Sequence, residues 1–206
     1  MNWKNGEYQP QQKRADEKKR LLMDTAVTQF SIHGYHGTTA KNIAREAGVA
    51  TGSFYRYFKD KKAILMAVCH RMEQELGGSM FDFGRQMREE GHTEQEVLIA
   101  LIKFAVAGHQ RNKGFHREVL AMGIIDEDVA AWTRAREERV LTALLEFLKP
   151  MQSSYLVQDL EAAVELIYYT IEEFCHRAIL FETPVGEERL TSELQEMLLR
   201  YLFKQY

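Results

Sequence analysis

Between Thr38 and Lys61 the chain gathers side chains suited to hydrogen bonding with a polyanion. Ser53 and Arg56 lie three positions apart and so share one face of a helix, with Gly52 beside them and Tyr55 and Tyr57 on its flanks. A guanidinium and a hydroxyl on such a face match the base edges of a DNA major groove. Glycine lets the helix approach closely, and the tyrosine hydroxyls reach phosphates on the two walls. Thr38 and Thr39 open the preceding helix and can offer hydroxyls and unsatisfied backbone N–H groups to a further phosphate. Lys61 starts the next helix and is placed for another such contact. A merely solvated amphipathic face accounts for the same pattern equally well, so the surrounding elements must decide.

Those elements read as a helix-turn-helix. Over residues 39–47, Ala40, Ile43, Ala44 and Ala47 share one face, small enough for a second helix to pack closely, while Lys41 and Arg45 project elsewhere. Gly48 tolerates the left-handed backbone of a sharp turn, and Val49 can fill the angle between the helices. Over residues 51–58, Phe54 and Phe58 are one turn apart and face inward. A helix over 13–33, carrying Leu22, Ala26 and Phe30 and ending at Gly34, precedes the pair. A fourth helix starts at the N-cap Asp60 and is predicted to stop at Gly77–Gly78.

The run Gly34-Tyr35-His36-Gly37-Thr38-Thr39, followed by Ile43-Ala44, Ala47-Gly48-Val49, Gly52, Tyr55, Tyr57-Phe58 and Lys61, closely resembles the DNA-binding domain of TetR-family transcriptional regulators. The resemblance covers about residues 15–65 without gaps. It implies that the third helix enters the major groove. Lys41, Thr51, Gly52, Ser53, Tyr55 and Arg56 then match groove-facing positions, and Thr39, Tyr57 and Lys61 match backbone-contacting ones. The family often carries serine where this chain has Ala50, which removes a hydroxyl from that position. Lys13 and Arg14 belong to a polar arm that either tracks the minor groove or is a solvated terminus.

Composition agrees with a two-part molecule. The 206 residues are 45% hydrophobic and 28% charged, with three prolines and two cysteines, which excludes collagen-like and disulfide-scaffold classes. No apolar run reaches membrane-spanning length, and the polar first ten residues lack a signal-peptide core, so a cytoplasmic protein is expected. Cys69 and Cys175 suit reduced thiols there. The net charge of −3 conceals an asymmetry: residues 1–75 hold 13 Lys/Arg against 8 Asp/Glu, and residues 76–206 hold 14 against 22. A basic head on an acidic body follows, with a DNA-binding domain expected over 1–75 and an effector-binding and dimerisation domain over 76–206.

The body reads as helices throughout, making the whole chain all-α with about nine helices. Thr93 and Glu96 form a capping-box spacing before the apolar run 97–107, expected at the centre of its domain. Helices follow at about 115–122, 126–149, 156–182 and 187–203. The family resemblance implies an effector site between these helices and a four-helix bundle shared with a second subunit. For that homodimer the chain offers Ile167, Ile171, Phe174 and Ala178 on the eighth helix and Leu194, Met197, Leu198 and Tyr201 on the ninth. Two-fold reading of a palindromic operator needs such a pairing.

Arg136 sits inside the apolar stripe of the seventh helix with Val129, Trp132, Val140, Ala143 and Phe147. It needs an anionic ligand or an internal carboxylate such as Glu172 or Glu173, unless it snorkels at the subunit interface. Phe104, His109, Phe115, His116 and Met122, together with Trp132, Tyr168 and Tyr169, complete the candidate effector site, and their apolar character suits a lipophilic effector. No cofactor, metal site or enzymatic activity is expected. Cys69-His70 and Cys175-His176 are adjacent pairs that diverge on a helix, and no phosphate loop or nucleophile elbow is present. The expected function is a ligand-responsive regulator, a repressor released by its effector. An activator of the same fold, or an all-α carrier or interaction module that does not bind DNA, is the alternative.

Overall fold

A computed structural model describes residues 10–181 and 183–203; the polar N-terminal residues 1–9, Glu182 and the last three residues lie outside it. Nine α-helices make up the described chain: α1 (Pro10–Gly37), α2 (Ala40–Glu46), α3 (Thr51–Tyr57), α4 (Lys61–Glu89), α5 (Glu94–Arg111), α6 (Lys113–Ile125), α7 (Glu127–Leu148), α8 (Leu160–Leu180) and α9 (Glu187–Leu202). The chain divides into two compact units, Met1–His70 and Arg71–Tyr206, and the division falls within α4.

In the first unit the predicted inward face is the core. Leu22, Ala26 and Phe30 from α1, Ile43 and Ala44 from α2, Phe54 from α3 and Ile64, Leu65 and Val68 from α4 are all fully buried. Gly34 carries the break foreseen after residue 33: at φ 72°, ψ 166° it interrupts the helical path of α1. Lys13 and Arg14 lie within α1, so the polar arm is helical at that point.

The second unit surrounds α5. Thr93 and Glu96 form the reciprocal capping box, and Val97, Leu98, Leu101, Ile102 and Val106 are buried. Their core extends to Phe147 and Leu148 of α7, Val164, Ile167 and Cys175 of α8, and Leu194, Leu198 and Leu202 of α9. After α7 the chain tightens into a 3₁₀ turn over Lys149–Ser154, with Pro150 at its start, where its missing N–H costs nothing. Leu156 N–H then donates to the Leu202 carbonyl at 2.7 Å, tying this segment to the end of α9.

One predicted boundary is overturned. Helix α4 does not stop at Gly77–Gly78 but runs on to Glu89. Two glycines cost about 1 kcal/mol each in a helix, and packing beyond them outweighs that. Phe81 is buried, its ring 5.6 Å from that of Phe147. At Gly84 a Cβ would stand only 2.7 Å from the Phe147 ring, so this glycine permits close approach to α7.

Candidate DNA interface and a buried polar cluster

Within the first unit, α2 and α3 are joined by a turn at Gly48, which takes φ 66°, and the Val49 N–H donates to the Ala44 carbonyl at 3.0 Å. Phe54 and Phe58 point inward with ring centroids 5.8 Å apart. The opposite face of α3 therefore stands in solvent. Thr51, Gly52, Tyr55 and Arg56 are exposed, Ser53 and Tyr57 are half-buried at its edges, and Lys41 is exposed on α2. A Cβ built at Gly52 meets nothing within 4 Å. The unit's own packing thus places no demand for glycine there.

Of the predicted phosphate contacts, Thr38 needs correction and Lys61 has partners within its own unit. Thr38 is fully buried, and its hydroxyl donates to the Gly34 carbonyl at 2.8 Å with the Gln29 carbonyl 3.1 Å away. It closes the end of α1 and faces no partner. The Lys61 ammonium donates to the Tyr35 carbonyl and, at 2.9 Å, to the Thr38 carbonyl, and it lies 4.1 Å from the Tyr35 ring centroid. Burial lowers its pKa from the ordinary lysine value. Lys61 braces the α1–α2 connection, so at most one of its donors faces outward. Thr39 caps α2 by accepting from Asn42 N–H at 3.1 Å, while Ala50 gives α3 no side-chain cap.

In the second unit, Arg136 meets an internal carboxylate. Its Nη2 lies 3.3 Å from Glu172 Oε1, and its Nη1 is 3.5 Å from the Tyr168 hydroxyl. The other oxygen of Glu172 faces histidines: Oε2 is 3.7 Å from His109 Nε2 and 3.5 Å from His176 Nε2. His116 Nε2 is 3.2 Å from His176 Nε2. Four helices supply the group, His109 from α5, His116 from α6, Arg136 from α7, and Glu172 and His176 one turn apart on α8.

The charges in this group are strongly perturbed. Burial works against the Glu172 carboxylate, but His109 and Arg136 outweigh it and hold the carboxyl far below the usual range. Burial likewise opposes the charged form of His109, yet Cys175 and Glu172 hold its pKa up at about 10. His116 is pushed down to about 3, by burial first and then by the positive charge of His109. His176 is lowered, chiefly by burial.

The remaining effector candidates are dispersed. Phe115 and Met122 are buried, Trp132 is half-buried, and Phe104 stacks on Phe83 with centroids 6.2 Å apart. Tyr169 turns outward, its hydroxyl donating to Glu137 at 2.5 Å. Of the dimer candidates, Ile167, Ala178, Leu194 and Leu198 are buried in the unit's own core, and Ile171 and Phe174 pack partly against it. Four of these six therefore lie beneath the surface of the unit, while Ile171 and Phe174 are half-buried. Met197 and Tyr201 stand outside the core, 50% and 39% exposed, and Leu166 and Phe181 do the same on and just beyond α8.

The profile of "Bacterial regulatory proteins, tetR family" matches residues 22–68, and that of "Tetracyclin repressor-like, C-terminal domain" matches residues 95–202. The chain belongs to the TetR family. The family match to residues 22–68 takes in the helix-turn-helix formed by α2 and α3. The uncharacterized HTH-type transcriptional regulator YerO of Bacillus subtilis is 32% identical over 115 residues, 55% of this chain but only 38% of that relative. The chain is thus matched to little more than a third of that protein's length. The fatty acid metabolism regulator protein of the same organism is 23% identical over 190 residues, covering 88% of this chain and 94% of the relative. The fatty acid degradation regulator FadR from Bacillus halodurans superposes with a TM-score of 0.71 at 21% identity, over 94% of this chain and 97% of that one, which establishes a shared fold. No described helix is long and apolar enough to cross a membrane.

Residue types alone bring Arg136 to Glu172 or Glu173 and put His109 and His116 among the effector candidates, but leave His176 out of the group. In sequence His176 stands beside Cys175, whereas its partner on α8 is Glu172, one turn earlier. That i, i+4 Glu–His spacing was the signal available.

Proposed function

We propose that this TetR-family chain is a repressor that acts as a homodimer on a two-fold operator and is released by a small-molecule effector held in its second unit. The observation that carries the DNA-reading part is the solvent-facing side of α3, with Arg56 and Tyr55 exposed around a Gly52 whose missing side chain serves no internal packing. Dimerisation through α8 and α9 is supported by the exposed apolar residues Leu166, Phe181, Met197 and Tyr201. Buried thiols at Cys69 and Cys175 suit a reducing cytoplasm. Arg136 is satisfied by Glu172, which favours the internal-carboxylate reading over an anionic ligand at that guanidinium. A lipophilic effector remains our reading, and long-chain fatty acids are the first compounds to test, since the fatty acid metabolism regulator of Bacillus subtilis is matched over nearly its whole length.

The mechanism is a population shift. An effector that binds preferentially to dimers whose two α3 helices are wrongly spaced for successive major grooves, about 34–36 Å apart, lowers operator affinity in proportion to that preference. Fluorescence anisotropy on DNA flanking the protein's own gene tests this, with and without saturating fatty acid; unchanged operator affinity would exclude fatty acids as the releasing effector. On the same DNA, Arg56→Ala is expected to lose about 10–100-fold on the specific site and little on random DNA. Equal losses on both would remove Arg56 from base reading. Gly52→Ala is expected to stabilise the first unit by about 0.5–1 kcal/mol, because alanine is the better helix former, while weakening operator binding. A variant that is both more stable and bound as tightly as the parent would show that nothing approaches α3 at Gly52.

A further inference from the structure

The three imidazoles of the second unit converge more closely than an internal ion pair requires. The ligand-capable nitrogens of His109, His116 and His176 all lie within 4.8 Å of one another. Donors that share a tetrahedral ion at about 2.0–2.1 Å stand about 3.3–3.4 Å apart. The His116–His176 spacing of 3.2 Å and the Glu172–His176 and Glu172–His109 spacings of 3.5 and 3.7 Å fall around that edge length.

The orientations point the same way. His109 Nδ1 is 2.9 Å from the Ala105 carbonyl, a hydrogen bond that keeps a proton on Nδ1 and turns Nε2 into the cluster. That Nε2 is buried and has no hydrogen-bond partner, since 3.7 Å to Glu172 is an ion-pair distance and too long for a hydrogen bond. His116 and His176 meet Nε2 to Nε2, where a single proton serves two ring nitrogens. Once His109 gives up its Nε2 proton, a cation among the three rings takes a lone pair from each of them. Glu172 is already divided for such a task, with Oε1 held by Arg136 and Oε2 facing the histidines. A ligating carboxylate whose other oxygen is held by a hydrogen-bonding partner, as Arg136 holds Glu172, is an ordinary arrangement in metal sites.

We propose that His109, His116 and His176 bind a divalent transition-metal ion, with Glu172 Oε2 as the carboxylate donor. Imidazole nitrogens select ions such as Zn2+, Co2+ and Ni2+, whereas Ca2+ and Mg2+ require oxygen donors. The ion ties α5, α6 and α8 together, so its binding appears as stability. The inference stands whether or not a fatty acid is the effector.

The test uses untagged full-length protein stripped with EDTA. Titration with Co2+ is expected to give the visible absorption of a tetrahedral site, saturating at one ion per chain. Zn2+ at a hundredfold excess over its dissociation constant is expected to raise Tm by about 5–10 °C, with Mg2+ and Ca2+ without effect. His116→Gln and His176→Gln should each weaken binding by more than about 10–100-fold, the loss typical of removing an outer-shell partner alone. A His33→Gln/His36→Gln/His92→Gln variant should bind like the parent. X-ray absorption at the zinc edge of the parent protein needs no variant to fold, and should show three imidazole ligands. The proposal is overturned if there is no stoichiometric uptake, if uptake survives in both cluster variants, if Mg2+ responds equally, or if fewer than two imidazoles ligate the zinc.

Discussion

Glu172→Leu is expected to destabilise the second unit by about 3–5 kcal/mol, because it strands charges that the fold holds away from water. The carboxylate faces Arg136 at 3.3 Å through one oxygen and His176 and His109 at 3.5 and 3.7 Å through the other. Leucine supplies the volume and removes the only acidic partner Arg136 has within ion-pair distance among the described residues. The two histidines can respond by losing a proton; the guanidinium cannot. Arg136→Met should therefore cost clearly less than Glu172→Leu, since Glu172 keeps its imidazole neighbours. The double variant should cost less than the sum of the two. Thermal melting in EDTA measures this, with a fall in Tm of roughly 10 °C expected for Glu172→Leu. Equal costs for the two single variants would mean that Arg136 is well enough hydrated to need no partner.

Phe54→Ala is expected to cost about 3–5 kcal/mol, confined to the first unit. The ring is fully buried and contacts Phe58, so its loss opens a cavity where α3 is held against the other helices. DNA binding should vanish at every salt concentration, on specific and random sequences alike, because the phosphate contacts of α2 and α3 lose their geometry together. Amide exchange in residues 40–57 should quicken, while the melting of α5–α9 is unchanged. That pattern separates Phe54 from Arg56, whose loss should spare the fold and the non-specific contacts. A Phe54→Ala protein that still bound random DNA normally would show that α3 is held by its neighbours without this ring.

The difference between the two halves of the molecule lies in how far apart in the chain the deciding contacts are. In residues 38–61 the periodicity of alanines and phenylalanines, the glycine at the turn and the family spacing all refer to neighbours a few positions away, and the helix-turn-helix stands where they put it. What those local patterns leave open concerns single side chains. A threonine hydroxyl and a lysine ammonium look identical in sequence whether they meet phosphate or a carbonyl of their own chain, and it is the tertiary path that buries Thr38 against the Gly34 carbonyl and gives the Lys61 ammonium the Thr38 carbonyl.

Helix content, the capping box at Thr93–Glu96, and the need of Arg136 for an acid were likewise carried by residue types and short spacings. The continuation of α4 through Gly77–Gly78 was not, because local propensity argues for a break and the approach of Gly84 to Phe147 overrides it. Nor was the burial of Ile167, Ala178, Leu194 and Leu198, whose apolar stripes are the same whether a helix packs on its own chain or on a second one. The histidine cluster is the clearest case. His116 and His176 are 60 positions apart on different helices, and each alone is an ordinary polar residue on an amphipathic face. Their convergence with His109 on Glu172 is a property of how α5, α6 and α8 cross, and helix crossing depends on packing across the whole core that no local pattern encodes.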